Sequence, residues 1–138
     1  MAPNEVSGAI VDSAIRIHKA LGPGLLESVY HLVLMHELVE RGFRVRSKVP
    51  IPLKYESLAI DKALEADLIV EEQVIVEIKS VETLLPVHSK QLLTYLKLTN
   101  LHLGLLLNFN SAYLKDGIIR LVNQLPEVNK ATPGVALL

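Results

Sequence analysis

Asp67-Leu68-Ile69-Val70-Glu71-Glu72-Gln73-Val74-Ile75-Val76-Glu77-Ile78-Lys79 holds two largely apolar runs around three polar residues, with charged residues at both outer ends. This pattern predicts an antiparallel hairpin. If Glu71, Glu72 and Gln73 make the turn, Val70 faces Val74, and the same register sets Asp67 opposite Glu77. A two-residue turn would set Asp67 opposite Val76 instead. Side chains alternate along a strand, so Lys79 projects to the same side as Glu77. Leu68, Val70, Val74, Val76 and Ile78 then line the opposite face, which belongs against a core.

Directly opposed residues have Cβ atoms about 4.5–5.5 Å apart, and two carboxylates at that spacing repel unless a cation or a shared proton relieves them. A divalent metal ion is one relief. The plainer alternative is a solvated face on an edge hairpin, with Lys79 neutralising Glu77.

Working outward, Val6, Ile10, Ala14, Ile17 and Leu21 recur at helical spacing and stop at Gly22-Pro23-Gly24. A second helix is expected from about residue 25 to 41, with Leu26, Val29, Val33 and Leu34 inward and Gly42 terminating it. Phe43 to Leu53 alternates like a strand, but Pro50 and Pro52 each lack a backbone donor and push it to a sheet edge. The chain then turns near Glu56-Ser57 and returns into the hairpin. Pro86 opens a helix through about Leu98, Leu101 to Phe109 reads as a buried strand, and Lys115-Asp116-Gly117 turns into a last strand over 118–122. The expected fold class is α/β, a mixed (α+β) sheet flanked by helices, in one domain over 1–125 with a tail over 126–138.

The 138 residues are half hydrophobic but only 4% aromatic, so aliphatic side chains must build the core. There is no cysteine, which excludes disulfides, thiolate metal sites and cysteine nucleophiles, and suits a reducing, cytoplasmic setting. The apolar stretches are too short for a membrane span and the first residues lack a signal-peptide pattern, so no membrane partner is expected. A net charge of −1 gives no global basic field. Nucleic-acid contact would need a local patch, and the candidates are Arg41, Arg44, Arg46 and Lys48. The last three alternate, so on a strand they could meet successive phosphates, or equally form a charged edge that blocks aggregation. The high apolar fraction leaves a homodimer open.

Two further groupings accompany the acidic hairpin. Gln91 and Tyr95 stand four apart, one above the other on the third helix. Gly24, Glu27 and Tyr30 open the second helix, with Glu27 and Tyr30 one turn apart and His31 also one turn from Glu27. A glutamate there commonly serves the helix dipole. The histidines show no paired zinc spacing and read as core or surface residues.

Gly24, Glu27 and Tyr30 match the name-giving motif of the GxxExxY proteins, and Asp67 with Glu77-Ile78-Lys79 resembles the PD-(D/E)xK nuclease core. Gln91 and Tyr95 resemble the Gln-x-x-x-Tyr motif of RecB-like exonucleases. The likeness spans about residues 5–123. It implies a restriction-endonuclease-like fold and a metal-dependent nuclease acting on DNA or RNA. It further implies that Asp67, Glu77, the Ile78 carbonyl and Glu27 hold Mg²⁺ or Mn²⁺, with Lys79, Gln91 and Tyr95 completing the catalytic set. Tyr30 joins Arg44, Arg46 and Lys48 as expected substrate-binding residues. The chain departs from the pattern at Ala66, where the superfamily has proline, and at Glu65, where members often carry a basic residue. A binding module that keeps this fold without turnover is the alternative.

Overall fold

The computed structural model describes residues 1–124, so the expected tail over 126–138 lies outside the described residues. Helix α1 (Pro3–Leu21) begins at a proline, whose missing N–H costs nothing in a first turn, and helix α2 (Glu27–Glu40) follows. Strands β1 (Val45–Tyr55), β2 (Leu58–Val70) and β3 (Val74–Lys79) come next, then α3 (Pro86–Thr99) and β4 (Leu103–Asn108). A short 3₁₀ turn, Leu114–Gly117, leads into β5 (Ile118–Val122).

The five strands form one sheet in chain order, parallel only between β3 and β4 and antiparallel elsewhere. Helix α3 makes the crossover that the parallel pair requires. Residues of α1 and α2 such as Ile10, Leu34 and Leu38 share one core with Val70, Val76, Leu105 and Leu107. Leu92, Tyr95 and Leu96 of α3 share the other with Ile69, Ile75 and Leu106. All six residues of β4 are buried, as a central strand covered on both faces should be. Strand β1 lies at the sheet edge, where Pro50 and Pro52 are tolerated. No described helix is long and apolar enough to cross a membrane.

The hairpin has the three-residue connection: Val70 pairs with Val74, Ile69 with Ile75 and Leu68 with Val76. Glu71 and Glu72 both take left-handed φ (55° and 53°), and Gln73 N–H donates to the Val70 carbonyl at 3.0 Å. Positive φ at both central positions matches the right-handed strand twist.

Two expectations are corrected. The inward stripe of α2 is Tyr30, His31, Leu34 and Leu38, while Leu26 is 72% exposed and Val29 and Val33 are only half-buried. The helix starts at Glu27, leaving Leu26 as its N-cap, and the anchoring of Tyr30 sets the helix rotation. The basic residues also fail to share a face. Arg44 precedes β1, and Lys48 adopts a left-handed φ of 52° inside the strand, so the alternation inverts there. Val45 packs on the α1/α2 core whereas Val49 packs on the α3 core. Strand β2 inverts at the same level, with Leu68 in the first core and Ala66 in the second. On an unbroken strand both pairs would share a face.

Candidate active site

The β2–β3 ladder ends at Leu68–Val76, one step short of the acidic pair. Beyond it β3 continues beside β4 as far as Lys79, whereas β2 follows β1, so the two strands part as a fork. Side chains replace the missing ladder. Asp67 N–H donates to Glu77 Oε1 at 3.0 Å, and Ile78 N–H donates to Asp67 Oδ2 at 2.7 Å. Asp67 and Glu77 thus face each other across the fork, each with one oxygen held by the partner strand and one left over. The N–H and C=O of one strand residue point the same way, so the Ile78 carbonyl is directed into the fork as well.

Glu77 is buried and Asp67 half-buried. Burial raises the Glu77 carboxyl to about 8, the Asp67 charge adds to the rise, and Asp67 N–H and Lys79 oppose it. Asp67 is raised too, chiefly by burial, while Ile78 N–H, His31 and Lys79 pull it down. Two acids therefore compete for negative charge in a place that tolerates little of it. Among the described residues no three acidic or histidine side chains cluster as a metal cage. Two carboxylates with a carbonyl form a hard-oxygen donor set, which fits an ion of the Mg²⁺ class that retains waters or takes phosphate oxygens.

The supports around the fork are rigid. Phe109 N–H donates to the Lys79 carbonyl at 2.9 Å, and buried Asn108 holds Val81 through both its amide atoms, at 3.0 and 2.9 Å. The end of β3, and with it Lys79, is fixed. Glu27 Oε1 accepts Ser80 N–H at 3.3 Å, which brings the first turn of α2 to the same strand end.

The Gly24, Glu27, Tyr30 grouping has a local explanation. Gly24 turns the chain at φ 105°, a conformation costly for any residue with a Cβ. The Tyr30 hydroxyl donates to the Gly22 carbonyl and accepts Leu25 N–H at 3.2 Å. Its ring stacks on Phe109 with centroids 4.5 Å apart. Tyr30 is therefore fully buried and ties down the loop that presents Glu27, which corrects the expectation that it contacts substrate.

On the other face, the Tyr95 hydroxyl donates to the Glu65 carbonyl at 3.0 Å, bracing β2 two residues before Asp67. Burial first, then the charges of Glu77, Asp67 and Glu65, raise Tyr95 well above the usual phenol range, so it stays protonated. The Glu65 carboxylate pairs with Lys62 at 3.0 Å, which offsets the extra negative charge there. Gln91 lies exposed one turn before Tyr95.

A cleft of about 660 Å³ opens beside Asp67 and Ile78, between the start of α2 and the bend of β1. Ser28, His31, Ser47 and Lys48 line it, and His31 Nε2 lies 2.7 Å from Ser47 Oγ. Ser28 and Ser47 belong to no motif spacing, and His31, one turn from Glu27, reads from the sequence as a core or surface histidine. The His31–Ser47 contact spans 16 residues and becomes visible only when α2 docks on β1. Arg44 and Arg46 are turned away from this cleft. Arg46 makes a double contact with Glu72 at 2.6 and 2.9 Å, Arg44 pairs with Glu71 at 3.6 Å, and Arg41 bonds to Ala9, Asp12 and Ser13 of α1.

A family model described as the PD-(D/E)XK nuclease superfamily matches residues 4–121. No curated protein and no solved structure gives a significant match.

Proposed function

This chain belongs to the PD-(D/E)XK nuclease superfamily, and on that premise we propose that it is a divalent-cation-dependent phosphodiesterase of nucleic acid, with DNA the first substrate to test. The observation that carries the reading is the fork, where Asp67 and Glu77 lend one oxygen each to the opposite strand and keep one each for a ligand. Nucleases of this superfamily generally use divalent metal ions.

In this reading Asp67, Glu77 and the Ile78 carbonyl would hold Mg²⁺ or Mn²⁺, and Glu27, at the start of α2, would complete the shell through water or hold a second ion. When bound, such an ion supplies Lewis-acid polarisation of the phosphate and acidifies an attacking water. Lys79 places positive charge next to that water and the developing negative phosphoryl oxygens, where an oriented charge is worth most. Lys48 contacts a substrate phosphate from the opposite wall. Tyr95 keeps β2 in place, and Gln91 meets the backbone of the bound strand.

The test is cleavage of linear and circular DNA with Mg²⁺ or Mn²⁺ and with chelator. Glu77→Ala and Lys79→Ala should each lower cleavage at least a hundredfold while the fold, followed by circular dichroism, is retained. Undiminished cleavage by either variant would remove the proposed site.

A further inference from the structure

We infer that the cleft beside the fork receives a single strand, as a free end or a frayed stretch, and does not receive an intact duplex. The inference rests on the nuclease reading and names the form of its substrate.

The first support is charge. Affinity for a duplex comes largely from Lys and Arg side chains that neutralise several of its phosphates. Arg41, Arg44 and Arg46, on the segment that leads into the β1 wall of the cleft, are paired with Asp12, Glu71 and Glu72 of the same chain. Lys48 is the one cation lining the cleft among the described residues, and Lys79 acts on its carboxylates from the end of β3. Two lysines match a short run of one strand.

The second support is the character of the walls. Leu26 and Leu32 line the same cleft yet are 72% and 60% exposed. Apolar side chains left open beside an acidic site can pack against a nucleobase once it has left its stack and shows its flat face. Ser28, Ser47 and Lys48 supply hydroxyl and ammonium groups for sugar and phosphate along the same wall. About 660 Å³ lies in the range of pockets that enclose a small ligand, room for one or two nucleotides and not for a helix turn.

The test compares one labelled oligonucleotide as single strand, as blunt duplex and as the same duplex with unpaired ends. Binding is read by fluorescence anisotropy in Ca²⁺, and cleavage is read separately in Mn²⁺. The single strand should bind at least tenfold more tightly than the blunt duplex, with unpaired ends restoring most of the affinity. The plot of log affinity against log salt should have a slope of about −1.4, as for two single-strand phosphate contacts. Leu26→Ser with Leu32→Ser should weaken single-strand binding at least threefold with the slope unchanged, whereas Lys48→Ala should flatten it by about 0.7. Equal or tighter binding of the blunt duplex overturns the inference, whether or not it is cut. Single-strand preference without cleavage of any substrate supports the inference and counts against the nuclease reading alone.

Discussion

Lys48 and Asp67 occupy the same level of the β1–β2 ladder, between the pairs Ser47–Leu68 and Val49–Ala66, and both strands exchange faces there. The left-handed backbone of Lys48 is what lets Asp67 border the α2-side cleft while Ala66, its neighbour, packs under α3. A strained conformation thus coincides with the acidic site.

A non-glycine residue in that conformation costs about 1–2 kcal/mol. Lys48→Gly should therefore match the wild type or exceed it by up to about 1 kcal/mol in urea unfolding, because glycine's gain here offsets its entropy loss in a strand. Lys48→Val should lose about 1–2 kcal/mol, since branching at Cβ worsens the clash. Equal costs for the two substitutions would mean that the backbone is not strained at this position.

The carboxylates predict an unusual response to pH. Glu77 is raised to about 8 from 4.5, so the native protein keeps a proton that the unfolded chain releases. That contribution is complete below about 4.5 and is lost as pH rises toward about 8, with raised Asp67 acting in the same direction. In chelator the melting temperature should fall over this range. Added Mn²⁺ should raise it, and more at the alkaline end, where no proton competes. A Mn²⁺ shift independent of pH would detach the ion from these acids.

Tyr30→Phe keeps the stack on Phe109 but leaves the Gly22 carbonyl and Leu25 N–H without their partner. The expected loss is about 1–3 kcal/mol. Hydrogen exchange at Leu25 N–H should accelerate more than exchange in β4. Exchange unchanged at Leu25 would show that the hydroxyl does not hold this loop.

Gly104 lets α3 approach the sheet. A Cβ there would stand 2.9 Å from Leu92 Cδ1 and 3.0 Å from its Cγ. Gly104→Ala should cost about 1–3 kcal/mol by overpacking. Combining it with Leu92→Val should recover part of that loss, a coupling that a double-mutant cycle measures. Strict additivity would place the strain elsewhere.

Much of this architecture is legible in residue patterns. The apolar alternation on either side of Glu71-Glu72-Gln73 fixes the hairpin register, Pro50 and Pro52 mark an edge strand, and the unbroken apolar run of β4 marks a central one. That register also brings Asp67 and Glu77 to the same end of the hairpin, although the ladder stops one step before them and side chain–backbone bonds replace it. The face exchange at Lys48 is not legible, because lysine has no preference for left-handed φ and only the surrounding sheet imposes it. Nor is the diversion of Arg44 and Arg46, which meet Glu71 and Glu72 across 26 or 27 positions once the hairpin has formed. Helix α2 was rotated relative to its apolar spacing for a similar reason: Tyr30 bonds backward to the loop before it, a tie that periodicity does not express.

The division of labour within each fork carboxylate has a practical side. Asp67→Asn or Glu77→Gln retains an acceptor oxygen for Ile78 N–H or Asp67 N–H, so the opposing strands stay bridged, while the negative charge that the proposed metal site needs is gone. In the nuclease reading, exchange of acid for amide at both positions should yield an inert decoy of native shape, one that captures its polymer without consuming it.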